Sequence, residues 1–260
     1  MSSDLQSAHA RLNSILGPGT EPIEVLERAE AHRAFWRPAR ARVVLVAESH
    51  VYTTASELSC SLRAFSGLPT DLPRGFVRLV YCLGYGEDGL LDQSVTSPRN
   101  SGTPQFWKIF QSCIAKPGTT VDYGSVQKRT RDSAMRLRAK VSVLERLRER
   151  EIWLVDASVA ALYLPGQAKK RPARLSEAVQ ASWDAYVGSV VESSEPMAIL
   201  CIGVGVVRAL HNRLDRLGVP WAGVHQPQAR LSSQKHASIH ALYSAVCDDP
   251  RKVSLVPSVV

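Results

Sequence analysis

Arg42-Val43-Val44-Leu45-Val46-Ala47-Glu48-Ser49-His50-Val51-Tyr52 is the stretch on which the fold turns. Val43 to Val46 form an unbroken branched apolar run, the pattern of a strand buried on both faces. The chain then delivers an acid, a hydroxyl, an imidazole and a phenol at the carboxyl end of that run. In an open α/β sheet the carboxyl ends of the strands are where ligands bind, so Glu48, Ser49, His50 and Tyr52 define a candidate site.

Three further runs repeat the pattern. Ile152-Trp153-Leu154-Val155-Asp156 is a buried strand ending in an acid, Met197 to Ile202 is a third, and Val219 to Val224 is a fourth that delivers His225. Helical spacing separates them: residues 176–191 follow the second strand and residues 204–217 follow the third. Strands alternating with helices imply an α/β fold of three α/β/α layers around a central, mostly parallel, four-stranded sheet. Strands running the same way share a carboxyl rim, which would gather Glu48, Asp156 and His225 on one edge.

Upstream, residues 4–16 and 22–35 carry leucines and alanines at helical spacing around the breaker Gly17-Pro18-Gly19, and Pro38 closes this N-terminal helical part, residues 1–38. Between the first two strands, Thr70 to Gly75 reads as a turn, Phe76 to Leu83 as a short extended stretch, and Gly84, Gly86 and Gly89 as a loop. Residues 92–104 are rich in Ser, Thr and Pro, and Gln105 to Ala115 resumes helical spacing. The segment 116–150 reads as a basic insertion. Lys128, Arg129, Arg131, Arg136, Arg138, Lys140, Arg146, Arg148 and Arg150 accompany Met135, Leu137, Val141, Leu144 and Leu147, as in a helix with one buried and one positive face. That face is either solvated or set against phosphates. No repeat or linker divides the chain, so 1–260 is expected to be a single domain.

A net charge of +8 over 260 residues and a pI near 9.4 make a polyanion such as nucleic acid a natural partner. Five scattered cysteines without a Cys-x-x-Cys pair argue against a disulfide framework, a zinc ribbon and an iron–sulfur cluster, and fit reduced thiols in the cytosol. No run reaches the length of a membrane span, and Met1 to Leu16 lacks a signal-peptide core, so a soluble cytoplasmic protein is expected. Gly203-Val204-Gly205 opens a helix as a dinucleotide fingerprint does, but Arg208 holds the third glycine position and His225 replaces the acid after the next strand, which argues against such a cofactor. His236 and His240 stand at i and i+4, yet no third ligand accompanies them, and no metal is expected.

In order, the motifs resemble those of the uracil-DNA glycosylase superfamily. Its members carry a first motif after strand one (Gly-Gln-Asp-Pro-Tyr-His, or Gly-Glu-Ala-Pro-Gly), an aromatic that stacks on the base, an Asn ending a buried strand, and a His-Pro-Ser-Pro-Leu-Ser motif after the last strand. Ala47-Glu48-Ser49-His50 stands at the first position and Asp156 at that of the Asn. Val224-His225-Gln226-Pro227-Gln228-Ala229-Arg230-Leu231-Ser232 is similar to the last motif extended by two residues. Ser49 replaces the family's water-activating Asp, and Asp156 replaces its uracil-reading Asn.

The resemblance implies hydrolysis of the N-glycosidic bond of uracil or another deaminated base in DNA, without cofactor, by a protein expected to be monomeric. Cleavage places positive charge on the sugar and negative charge on the departing base. Glu48 or Asp156 would offset the first, and His225 would donate to the second. Ser49, His50 and Tyr52 would contact the substrate, with Tyr81, and after it Tyr85, as the stacking aromatic. Leu231 would be the wedge that fills the gap left by the flipped base, flanked by Arg230 and Ser232 on DNA. A carboxylate at 156 accepts from a ring N–H but repels a neighbouring carbonyl oxygen, which brings in hypoxanthine and xanthine as substrates. Two rivals remain: a relative that binds nucleic acid without excision, and an unrelated nucleotide hydrolase.

Overall fold

A computed structural model describes residues 3–93, 95, 102–163 and 172–256. Its centre is a four-stranded, all-parallel sheet in the order β2-β1-β3-β4, with β1 Val43–Ala47, β2 Ile152–Asp156, β3 Ala198–Ile202 and β4 Trp221–Val224. All five residues of β1, β2 and β3 are buried, as expected where helices cover both faces. The helices are α1 Ser3–Leu16, α2 Ile23–Phe35, α3 Pro104–Ile114, α4 Ser133–Glu149, α5 Pro172–Ser182, α6 Gly188–Glu192, α7 Val204–Arg216 and α8 Ser233–Asp248. One layer is made by α1, α5 and α7 and the other by α3, α4 and α8, which completes the three-layer α/β/α arrangement.

Local sequence explains each element. Leu5, Ala8, Leu12 and Leu16 recur three and four apart, so α1 buries one stripe. Asp132 caps α4 by accepting the N–H groups of Ala134 and Met135, and Ser232 caps α8 through Lys235 N–H. Gly203 leaves β3 at φ 113°, a conformation that a side chain would strain, and so lets α7 start directly behind the sheet. One π-helical turn, Trp183–Val187, joins α5 to α6.

Two expectations need correction. Phe76 to Leu83 is not extended: Leu79, Cys82 and Tyr85 N–H each donate two or three residues back, to Val77, Leu79 and Cys82, and wind the segment into successive turns. Its apolar residues are buried because the turns pack onto the core. Two residues of the basic face of α4 are also drawn inside the fold, while Arg138, Arg146 and Arg148 stay exposed. Arg136 and Lys140 turn inward onto Glu87, Arg146 and Arg150 donate to the Ile114 carbonyl, and Arg148 lies 6.0 Å from the Trp36 ring. Ser94 and residues 96–101 of the polar loop, and residues 164–171, which include the basic run Lys169, Lys170 and Arg171, lie outside the described residues.

Candidate functional site

The strand order contains a reversal. From β1 the chain passes to β2 on one side, then returns across β1 to β3 and continues outward to β4, so connections diverge between β1 and β3. The crevice outside such a switch point is where open α/β sheets bind ligands. Register pairs Ala47 with Asp156, Val46 with Cys201 and Ile202 with Val224, which brings Glu48, Asp156, Gly203 and His225 to one rim.

A pocket of about 380 Å³ opens there. Glu48, Ser49, His50 and Tyr52 of the first segment line it together with Asp156, as do Arg78, Phe106, Tyr163 and Gln228. Glu48 is partly exposed, and its Oε2 accepts from the Tyr163 hydroxyl at 3.0 Å and from Gln226 Nε2 at 3.3 Å. A β-carbon on Gly205 would stand only 3.6 Å from Oε1, so the carboxylate sits against the N-terminal turn of α7, whose free N–H groups favour negative charge.

The wall that carries Tyr163 is strapped down by side chains. Ala161 N–H donates to Glu21 Oε2 at 2.8 Å, Leu162 N–H to Ser49 Oγ at 3.3 Å, and Val159 N–H to Ser182 Oγ at 2.9 Å. Beneath it runs a buried chain of charges. Glu21 Oε2 contacts His50 Nε2 at 2.9 Å, His50 Nδ1 lies 3.7 Å from Asp156 Oδ2, and Arg33 donates to the same Oδ2 at 2.8 Å and also to Glu30. Burial pulls the His50 pKa down, but the Glu21 and Asp156 carboxylates outweigh it and raise it to about 9. Burial likewise works against ionised Asp156, yet the facing His50 imidazolium and the Arg33 charge hold its carboxyl below the usual range. At 3.7 Å the His50–Asp156 contact is an ion pair rather than a formed hydrogen bond.

Other expected residues lie elsewhere. Tyr81 is 2% exposed, stacks on Phe110 at 5.8 Å, and accepts Leu154 N–H at 2.8 Å, so it finishes the open edge of β2. Tyr85 is buried too, and neither tyrosine is on the pocket wall. His225 is half-buried and off the wall, in the segment that follows the end of β4 at Val224, and its neighbour Gln226 is the residue that reaches Glu48. Arg230 and Ser232 are exposed and Leu231 is half-buried, in the turn between β4 and α8.

Phe106, Tyr163, Gln226 and Glu21 were not singled out in the sequence. Phe106 stands at helical spacing with Ile109 and Phe110 and looked like core, and Glu21 is hidden between Thr20 and Pro22 in helix punctuation. Among the described residues no cluster of His, Cys, Asp and Glu is suited to a metal, and no helix is long and apolar enough to cross a membrane. Comparison with known proteins finds no family model that matches this chain and no curated protein that matches it.

Proposed function

We propose that the pocket accepts a flipped base from DNA and that the chain hydrolyses its N-glycosidic bond. The observation that carries this is Glu48: a solvent-reachable carboxylate at the β1/β3 switch point, held by Tyr163 and Gln226 on the wall of a pocket that Tyr52 and Phe106 also line. The volume suits a small planar ligand, and Phe106 takes the stacking role first expected of Tyr81. As the bond between base and C1′ breaks, Glu48 offsets the positive charge growing on the sugar. It then takes a proton from the water whose oxygen bonds to C1′, and the base leaves with the bond's electron pair.

Exposed cations on this rim favour DNA there, beside those that α4 also exposes at Arg138, Arg146 and Arg148. Arg174, Arg208, Arg230 and Lys235 lie in the first turns of α5, α7 and α8 or just before them, all at the carboxyl end of the sheet. Release of base from oligonucleotides containing uracil, hypoxanthine or xanthine, lost in E48Q, is the expected result. Absence of release from all three, with the intact protein still bound to the oligonucleotides, would replace this reading with binding alone. One observation favours that second reading: the Ser49 hydroxyl, where the similar family activates water, is occupied by Leu162 N–H.

A further inference from the structure

Next to the larger pocket, and sharing Gly102, Thr103 and Pro104 with it, lies a cavity of about 20 Å³ whose wall also holds Glu87 and Lys140. It has room for about one water-sized group. Its surroundings carry an imbalance of charge. Glu87, Arg136 and Lys140 are all buried; Arg136 Nε and Nη2 reach the two Glu87 oxygens at 3.0 and 2.5 Å, and Lys140 Nζ reaches Oε1 at 2.8 Å. One carboxylate therefore serves two interior cations. Asp132, the other carboxylate felt by Arg136, is exposed and already caps α4.

Unbalanced buried charge is costly, and burial holds the Lys140 ammonium below its ordinary pKa despite Glu87. Among the described residues Glu87 is the one hydrogen-bond acceptor that Nζ has; the Trp107 ring lies 5.1 Å away, and the Arg136 and Lys128 charges add to the positive surplus. Thr103 Oγ1 is buried without a partner. Although Thr103 is the N-cap of α3, its side chain makes no cap hydrogen bond, so the positive end of that helix also stays uncompensated. An ammonium with spare N–H groups, an unused hydroxyl and a net positive interior thus border one small space.

We propose that this cavity seats one non-bridging oxygen of a phosphate group, accepting from Lys140 Nζ and Thr103 Oγ1. The phosphate belongs to the nucleic-acid strand whose base enters the adjoining pocket. That assignment of the source rests on the proposed glycosylase reading, whereas the oxyanion chemistry does not.

Inorganic phosphate is the probe. Thermal unfolding of the intact chain in rising phosphate, at ionic strength held constant with chloride, is measured for the wild type, T103V and K140M. K140M leaves Glu87 paired with Arg136 alone, a balanced pair, so it folds; T103V changes one atom group at constant shape. The wild type gains stability with phosphate, and the gain falls in both variants. KM for an excised oligonucleotide rises about tenfold in T103V, as for one lost hydrogen bond to a charged group. An equal phosphate effect in all three proteins, or none in the wild type, overturns the seat. Excision that persists alongside such a result removes the seat and leaves the glycosylase reading standing. A phosphate gain that depends on Thr103 and Lys140 in a protein that excises nothing supports the oxyanion seat and removes the glycosylase reading.

Discussion

The Tyr163 hydroxyl donates to Glu48 Oε2 across 3.0 Å, although 57% of the tyrosine stands in solvent. Partial burial and the facing carboxylate raise the phenol pKa to about 12, so Tyr163 keeps its proton and remains a donor at any working pH. The contact fixes one Glu48 oxygen, while the other stands against Gly205 in the first turn of α7. E48Q is expected to lower single-turnover excision by about a thousandfold, within the range of one lost charge-stabilising or proton-accepting group, with oligonucleotide affinity within a few-fold of wild type. Y163F keeps the ring and loses only this contact, and costs on the order of tenfold in the same assay.

Tyr81 belongs to the core and Phe106 to the pocket wall. Y81F leaves Leu154 N–H buried at the edge of β2 without an acceptor. It should cost about 1–3 kcal/mol in a urea titration with kcat unchanged. F106A, on the pocket wall, should do the opposite and raise KM at nearly constant stability. A Y81F protein with normal stability and impaired turnover would restore Tyr81 to the pocket.

Asp156 is both a wall residue and the counter-ion of buried Arg33. D156A strands that cation with Glu30 alone and is expected to cost about 3–5 kcal/mol of folding free energy. R33M combined with D156L should cost less than the sum of the single changes, and a double-mutant cycle by denaturant unfolding measures the difference. A simple sum would show that the pair is not coupled.

His50 binds its proton more tightly when folded, with its pKa raised from 6.5 to about 9. Its contribution is therefore complete below about pH 6.5 and is lost as pH rises through about 9, on the order of 3 kcal/mol over that window. Asp156 acts in the opposite sense: its depressed pKa gives stability at neutral pH that is lost as pH falls through the carboxylate range. Urea midpoints at pH 6 and pH 9.5 should differ for the wild type and converge for H50Q. An unchanged pH dependence in H50Q would remove the imidazole from this account.

The four strands were legible because each is a short apolar run bounded by polar residues, and parallel pairing follows from the helices between them. Their order was not, since nothing local in Val43–Ala47 says that β3 lies on one side of it and β2 on the other. The site was half legible. Glu48, Ser49, His50, Tyr52 and Asp156 stand at strand ends, where rim position follows from register. Tyr163 and Phe106 come from a loop and a helix whose apolar sequence looks like ordinary core, and Glu21 reaches the site from the turn between two helices. Periodicity carries no signal for contacts of that kind. His225 is on the expected rim but off the pocket wall, since β4 ends at Val224 and the turn beyond it brings Gln226 to Glu48 and Gln228 to the wall.

Glu21 holds Thr53 N–H, Ala161 N–H and His50 at once, and so joins a residue before the first strand to one 140 positions later. The β1–β3 pairing closes a longer span still, Val43 against Ala198, so the wall carrying Tyr163 is fastened within the same long-range closure that forms the sheet. Loss of the Glu21 carboxylate would leave the strands paired and release the Thr53 and Ala161 N–H groups, so the shape of the pocket wall depends on a residue that precedes every strand.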